Sequence, residues 1–228
     1  MYILNAFVWI AILFLTFSFL RVVWLRLPTL LMARQPDLIR LAFIEPSESK
    51  SFATISPQLE AILAEFRTLG FTPLGVKLEK LPLWGPQFEE YSLASSPAQV
   101  FASLLDFRNL RYRGFYLFTP FTGGQIVFTT TNPNMPAQDL PDFSLHVMAN
   151  ATPTQALADH QDRVRQFQAR GLQPYAGYTR ESRLAATRLF YHAPAISRQQ
   201  KARAGAFLLG LLLPLALIVG LLIWNLSR

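Results

Sequence analysis

Cysteine is absent from this chain of 228 residues, and charged residues make up only 15% of it. Without cysteine, the chain can form no disulfide framework, no cysteine-ligated metal site and no thiol nucleophile. Globular domains usually contain about a quarter charged residues, so the low fraction indicates long apolar segments. The phosphate-binding, dinucleotide-binding, nucleophile-elbow and zinc-protease motifs are also missing from the sequence. We therefore expect no catalytic residue, no metal site and no cofactor.

Two long segments are free of charged residues. Residues 2–20 and 204–226 are uncharged over nineteen and twenty-three positions, and a helix of about 20 apolar residues crosses the roughly 30 Å hydrocarbon core of a bilayer. A buried core helix is the alternative, but uninterrupted runs of this length are typical of membrane spans. The first run lacks the basic start and small-residue cleavage site of a signal peptide, which favours an uncleaved anchor.

The distribution of apolar residues predicts four regions. They are a transmembrane helix in residues 1–25, a juxtamembrane segment in 26–46, a cytoplasmic α+β domain in 47–197, and a second transmembrane helix with a short tail in 198–228. Trp24 and Trp224 are expected at the membrane interface, where aromatic rings are favoured. Pro28 is expected to break the chain after the first span. Segment 29–44 is either an interfacial helix or a piece whose residues 38–44 enter the domain as a strand.

Basic residues predict the orientation. Seven of them flank the spans on the side of the middle region, and one lies at the opposite ends, so the positive-inside rule places the middle domain in the cytoplasm and both termini outside. The expected location is a bacterial inner membrane or an organellar, thylakoid-type membrane. The seven are Arg21, Arg26, Arg34, Arg40, Arg198, Lys201 and Arg203, and the eighth is Arg228.

The formal net charge of +7 has the same origin. Residues 41–197 contain thirteen basic and thirteen acidic residues, so the flanks carry the whole excess. Attraction of these flanks to anionic headgroups explains the basicity. We therefore expect the lipid bilayer as a partner and no nucleic acid.

Within the domain, the patterns predict a helix, five or six strands and two further helices. The first helix begins at Ser56-Pro57 and ends at Gly70, and the second begins with a capping box from Thr152 to Gln155. The sequence therefore predicts an α+β fold, with an antiparallel β-meander sheet covered on one face by helices. The strands are expected in 71–81, 88–93, 100–107, 114–121, 125–131 and 143–148, with a hairpin at Gly123-Gly124 and a third helix in 181–193 that Pro194 interrupts.

His160 is a weak functional candidate. Its spacing from Leu157 and Val164 places it on the apolar face of its helix, where a core histidine with satisfied hydrogen bonds is the simpler interpretation. The functional alternative joins it to Asp159 or Asp162 in an acid–base or metal site, although neighbouring helix positions point in different directions.

Three other groups of residues invite a functional interpretation. Arg108, Arg111 and Arg113 form a cluster that can contact an anion, a lipid headgroup or an acidic partner. Glu89 and Glu90 are adjacent, but successive strand residues face opposite sides, so we interpret them as a solvated strand edge. Ala206 and Gly210 form a small-xxx-small pair that would allow another helix to approach closely.

These features favour a non-catalytic, membrane-anchored accessory subunit or assembly factor of a larger membrane protein complex. Its expected partners are other membrane-protein subunits or further copies of the same chain. The first alternative is a membrane-tethered module that binds a lipid or small ligand in an aromatic-lined cavity. The second alternative is a membrane-bound enzyme of unfamiliar type, with His160 as its centre. The uncharged spans contain no ion path of their own.

Overall fold

The computed structural model describes residues 2–107, 112–175 and 177–227. Over these residues the chain contains five α-helices and eight β-strands. The helices are α1 (Tyr2–Arg34), α2 (Pro57–Thr68), α3 (Pro153–Ala169), α4 (Arg180–His192) and α5 (Pro194–Leu226). The strands are β1 (Arg40–Ile44), β2 (Thr72–Lys80), β3 (Gln87–Ser95), β4 (Val100–Phe107), β5 (Tyr112–Pro120), β6 (Ile126–Thr130), β7 (Gln138–Leu140) and β8 (Phe143–Val147).

The chain divides into two compact units. The first contains Met1–Leu38, Leu81–Gly85 and Arg198–Arg228, and the second contains Ile39–Lys80 and Pro86–Ser197. The first unit therefore holds α1 and most of α5, and the second holds the whole sheet together with α2, α3 and α4.

The helices of the first unit, α1 and α5, are both long and apolar enough to cross a membrane. Their apolar side chains are exposed rather than packed into a core, as in Phe14 at 69% and Leu209 at 68% exposure. The expected break at Pro28 is wrong, because Pro28 lies inside α1, which continues to Arg34. The expected interruption at Pro194 is confirmed, since α4 ends at His192 and α5 begins at Pro194.

The structure of segment 29–44 decides between the two alternatives predicted for it. Residues 29–34 complete α1, a short 3-10 turn covers Pro36–Leu38, and Arg40–Ile44 then forms β1. Of the two alternatives for this segment, the strand is the one found at its C-terminal end. β1 pairs antiparallel with β2, with Ile44 opposite Val76.

The second unit is built on one sheet of eight strands in the order β1-β2-β3-β4-β5-β6-β8-β7. Strands β1 to β6 form the expected antiparallel meander, but the sheet is larger than the five or six strands predicted. It is also mixed, because β6 and β8 run parallel, with Ile126 opposite Phe143. The β5–β6 hairpin is confirmed, and Gly124 takes the positive φ of 81° that its turn requires.

Helices cover both faces of this sheet, so the expectation of one covered face is wrong. Leu63 and Phe66 of α2 and Leu157 of α3 pack with Val76, Leu93 and Phe115 on one face. Ala186 of α4 packs with Phe101, Phe118 and Phe128 on the other, together with Ala193, Ala195 and Ile196 around the start of α5. Strand residues on both faces are therefore buried, including polar ones. This arrangement positions the site described below.

Local signals at the helix starts behave as expected. The Ser56 hydroxyl accepts a hydrogen bond from the Leu59 backbone N–H at 3.4 Å. At α3, the Thr152 hydroxyl accepts from the Gln155 N–H, and the Gln155 side chain accepts from the Thr152 N–H, which completes the capping box. Each cap satisfies backbone donors that a helix end would otherwise leave unpaired.

A β-bulge in β2 moves side chains from one face of the sheet to the other. The pairing of β2 with β3 shifts register between Pro73 and Gly75, and Gly75 has a φ of 110° that other residues rarely adopt. As a result, Leu74 and Val76 pack in the cores on opposite faces. Lys77 consequently lies on the face that α4 covers.

Candidate functional site

Four charged side chains lie between the sheet and α4, three of them buried and the fourth, that of Glu90, 12% exposed. Lys77 and Glu79 are alternate residues of β2, and Glu90 of β3 lies directly opposite Lys77 in the strand register. Arg183 enters from α4. We call Lys77, Glu79, Glu90 and Arg183 the buried charge cluster. Lys77 and Arg183 are almost wholly inaccessible to solvent, which is rare for these residue types unless they are paired.

Helix α4 directs three polar side chains at this cluster. Arg183, Thr187 and Tyr191 are spaced four residues apart and therefore share one face of the helix. The helix start is fixed by a capping box, in which the Thr179 hydroxyl accepts from the Ser182 N–H and the Ser182 hydroxyl accepts from the Thr179 N–H. This cap begins α4 one turn before Arg183, so it sets where the guanidinium meets the sheet.

The Arg183 guanidinium is the most connected group of the buried charge cluster. Its Nη2 donates to the Tyr116 hydroxyl at 2.5 Å, to Ser103 Oγ at 3.2 Å and to Glu90 Oε2 at 3.4 Å. Its Nη1 donates to Thr187 Oγ1 at 3.1 Å. Ser103 and Tyr116 are opposite each other on β4 and β5, so Arg183 links three neighbouring strands to α4.

Lys77 and the two tyrosines complete the pairing. Lys77 Nζ is bound to Glu79, lies 3.1 Å from Glu90 Oε2 and donates to Thr187 Oγ1 at 3.2 Å. The Tyr116 hydroxyl donates to Glu90 Oε2, and the Tyr191 hydroxyl donates to Glu79 Oε2, both at 2.5 Å. Every carboxylate of the cluster therefore has both a cation and a hydroxyl donor.

The formal charges of the buried charge cluster, two cations and two carboxylates, sum to zero. Burial favours the protonated form of Glu90, but Lys77 and Arg183 outweigh it and hold the pKa of that carboxyl below its usual value. Burial raises the pKa of Tyr116 and of Tyr191 well above the usual value, and the neighbouring carboxylates add to the effect. Two cations thus face two carboxylates, while the tyrosines remain neutral donors.

A small cavity borders the buried charge cluster. It measures about 120 Å³ and is lined by the cluster, by Tyr116, Thr187 and Tyr191, and by Phe118, Phe128 and Phe190. The Arg183 guanidinium also lies 5.1 Å from the Phe118 ring centroid. Within the described parts of the chain, Arg183 Nε is buried without a hydrogen-bond partner. The cavity is large enough for a few water molecules but is below the roughly 300–1,000 Å³ of drug-sized ligand pockets.

This arrangement is suited to binding and to structural roles more than to proton transfer. A general acid or base works best with a pKa near the operating pH. In the buried charge cluster, the Glu90 pKa is depressed and the tyrosine pKa values are raised, so each shift moves away from neutrality.

The interpretation of Glu89 and Glu90 as a solvated strand edge is wrong for Glu90. Strand β3 lies inside the sheet, between β2 and β4. The two carboxylates do face opposite sides, as expected. Glu89 accepts hydrogen bonds from the Ser49 hydroxyl and the Ser51 N–H, whereas Glu90 belongs to the buried charge cluster.

His160 lies fully buried between α3 and the sheet. Its Nε2 is 3.0 Å from Thr119 Oγ1, and its Nδ1 is 3.0 Å from Thr129 Oγ1. Because the Thr119 hydroxyl donates to the Gln99 carbonyl, it accepts from His160, so Nε2 carries the proton and Nδ1 accepts from Thr129. Burial lowers the pKa of His160 to about 3, which keeps the ring neutral.

The acids beside His160 belong to other contacts. Asp159 Oδ2 lies 2.7 Å from His146 Nδ1 and accepts from Arg163 Nε at 3.0 Å. Asp162 pairs with Arg165 at the surface. Neither carboxylate is among the hydrogen-bond partners of His160. In the described residues there is no group of three or more histidines and acids placed to hold a metal ion.

The arginine cluster is described only in part. Arg113 of β5 lies opposite Asp106 of β4 and donates to its Oδ1 at 3.2 Å. Arg108 and Arg111 lie outside the described residues, so the proposed contact with an anion, headgroup or partner remains a prediction. On α5, Ala206 and Gly210 are both exposed, and a Cβ placed on Gly210 would meet no atom within 4 Å.

Sequence reasoning missed the buried charge cluster. The available signal was the alternation of Lys77 and Glu79 within an otherwise apolar strand, next to the acid pair of β3. Comparison of the chain with models of protein families, with curated proteins and with solved structures found no match.

Proposed function

We propose that this protein is a non-catalytic accessory subunit or assembly factor of a larger membrane protein complex, anchored by α1 and α5. The observation that carries the proposal is the exposure of apolar side chains along two helices of membrane-spanning length. Exposed apolar surface of this extent is costly in water and favourable in lipid.

The internal pairing of the domain's polar core supports a role without catalysis. The buried charge cluster is neutral and hydrogen-bonded, and His160 has both ring nitrogens occupied. Fully satisfied polar networks rigidify a core, and breaking them destabilises the fold. We therefore infer that the domain presents a rigid surface. A rigid surface presented beside a bilayer suits a scaffold.

The surface of α5 supports a partner inside the membrane. Gly210 has open space around it, and Ala206 lies one turn earlier on the same face of the helix. Small residues at this spacing let two helix backbones approach closely. We infer that this face receives a helix of another subunit or of a second copy.

Isolation from the native membrane in mild detergent tests the proposed complex. We expect the full-length protein to migrate with additional subunits, and Gly210→Leu to convert it to the free form because the added side chain separates the helices. Gly205→Leu is the matched control, since Gly205 is also open but lies about 140° around the axis of α5 from Gly210. A wild-type protein that migrates as a lone monomer contradicts the proposal.

The proposed orientation places the folded domain in the cytoplasm and the C-terminus on the opposite side. Because the chain lacks cysteine, Ser96→Cys and Ser227→Cys each introduce a single thiol for a membrane-impermeant maleimide. In sealed vesicles with the cytoplasmic face outward, we expect labelling of Ser96→Cys and protection of Ser227→Cys until detergent is added. The reverse pattern would overturn the orientation, and the wild-type chain reports background labelling.

A membrane-tethered binding module is the second candidate. The cavity beside the buried charge cluster and the unpaired Arg183 Nε in the described chain favour it. The volume of about 120 Å³ fits water or a small polar molecule and is too small for a lipid chain.

A further inference from the structure

The segment between β2 and β3 belongs to the same unit as α1. We call residues Leu81–Gly85 the tryptophan loop. Leu83 and Trp84 are 54% and 41% exposed, although both are large apolar residues. The Trp84 indole stacks on that of Trp24 in α1, with ring centroids 3.6 Å apart and planes at 8°. Leu83 has a φ of 58°, a conformation that leucine rarely adopts without constraint.

A backbone hydrogen bond explains why this contact forms where it does. In an α-helix, the carbonyl of residue 24 accepts from the N–H of residue 28, but residue 28 of α1 is proline and has no N–H. Trp84 Nε1 donates to this Trp24 carbonyl at 3.1 Å. The tryptophan loop thus supplies the donor that Pro28 removes from α1.

Close packing adds a second, independent constraint. A Cβ built on Gly85 would lie 2.8 Å from Pro28 Cβ and 2.5 Å from Leu81 Cβ. Only glycine therefore allows the tryptophan loop to approach α1 this closely. The stack, the hydrogen bond and the glycine contact all lie within residues 24–28 of α1.

The position of residues 24–28 along α1 indicates their depth in the bilayer. The uncharged run ends at Leu20, and Trp24 follows about 6 Å further along the helix axis, between Arg21 and Arg26. Tryptophan beside basic residues at the end of a span is typical of the headgroup region. An unpaired carbonyl is costly near the hydrocarbon, so a donor from the tryptophan loop is most valuable at this depth.

We propose that the tryptophan loop is a third membrane contact, in which Leu83 and Trp84 enter the boundary between phospholipid headgroups and acyl chains. The inference rests on the proposed insertion of α1. The partner is the lipid surface, because the exposed groups are a leucine and an indole stacked on Trp24, which Arg21 and Arg26 flank in α1, rather than a groove shaped for a polypeptide.

The absence of cysteine makes a direct test simple. Full-length Leu83→Cys carries an environment-sensitive fluorophore after reconstitution into vesicles of phosphatidylcholine and phosphatidylglycerol. We expect quenching by nitroxide-labelled lipids, and quenching by aqueous iodide several-fold weaker than at the control position. Ser96→Cys is that control, since Ser96 is exposed in the turn between β3 and β4.

A third position separates failure of this inference from failure of the membrane proposal. Phe17→Cys places the same fluorophore on an exposed position of α1 within the uncharged run. A lipid-quenched Phe17 probe with a Leu83 probe as open to iodide as Ser96 would overturn the lipid contact alone. Probes open to iodide at both Phe17 and Leu83 would overturn the anchoring itself. A Leu83 probe shielded from iodide but not quenched by lipid would show cover by a second protein copy, which also overturns the inference.

Discussion

Replacement of Arg183 by methionine is expected to destabilise the protein by about 3–5 kcal/mol. Methionine keeps the length of the side chain but leaves Glu79 and Glu90 facing Lys77 alone, so one negative charge is buried without a partner. Tyr116, Ser103 and Thr187 also lose a donor. In thermal unfolding of the full-length protein in detergent, followed by near-ultraviolet circular dichroism, the midpoint should fall by roughly 10 °C.

A second substitution shows whether the unpaired charge causes the loss. Glu90→Gln restores neutrality in the Arg183→Met background and still accepts from the Tyr116 hydroxyl, so the double variant should recover a measurable part of the stability. Arg165→Met is the matched control, because the pair of Arg165 with Asp162 is exposed and should contribute no more than about 1 kcal/mol. Equal effects of Arg165→Met and Arg183→Met would refute the assigned importance of the buried charge cluster.

Acidification should destabilise the folded protein before its carboxylates titrate. His160 has a pKa of about 3 in the folded state and 6.5 as the ordinary value. Between these values the unfolded chain binds a proton that the folded chain does not, so stability falls as the pH falls. From pH 6.5 to pH 5, the loss from His160 alone is about 2 kcal/mol. Denaturant unfolding at several pH values measures it.

Variants at two histidines assign this pH dependence. His160→Gln removes the titrating group, so its stability should be lower at neutral pH, and its loss of stability between pH 6.5 and 5 should be smaller than that of the wild type by about 2 kcal/mol. His192→Gln is the control, since His192 is exposed at the end of α4, and it should retain the wild-type slope. If His160→Gln keeps the full slope, another group causes the pH dependence.

The parts of the fold that the sequence predicted are those specified by neighbouring residues. The helix that starts at Ser56-Pro57 and the capping box from Thr152 to Gln155 each depend on side chains within four positions, and both are present. The hairpin at Gly123-Gly124 is equally local. Such features are readable because the residues that stabilise them are adjacent in the chain.

The buried charge cluster could not be predicted in the same way. Lys77, Glu79 and Glu90 have the spacing of polar residues on the wet face of a strand. They are buried only because α4, about 100 residues later in the chain, covers that face. The bulge at Gly75 further changes which residues of β2 share a face, and a strict two-residue period cannot represent it.

Long-range pairing also accounts for the errors in the sheet. Strand β7 has three residues and no apolar alternation, so its sequence resembles a loop. The parallel pairing of β6 with β8 requires a crossover connection between them. Local sequence patterns do not predict such a connection. His160 illustrates the opposite case, because its spacing from Leu157 and Val164 placed it correctly on the buried face of α3.

The two ends of the sheet have a consequence under the proposed anchoring of the domain at a bilayer. Confinement to a surface raises the local concentration of neighbouring copies, and unpaired strand edges are then templates for aggregation. The open strands here, β1 and β7, have only five and three residues. Each of these edge strands can form only a few backbone hydrogen bonds with a strand of another chain. A crowded population of this domain should therefore resist clustering through strand pairing, and the partners we propose would have to recognise it through side chains.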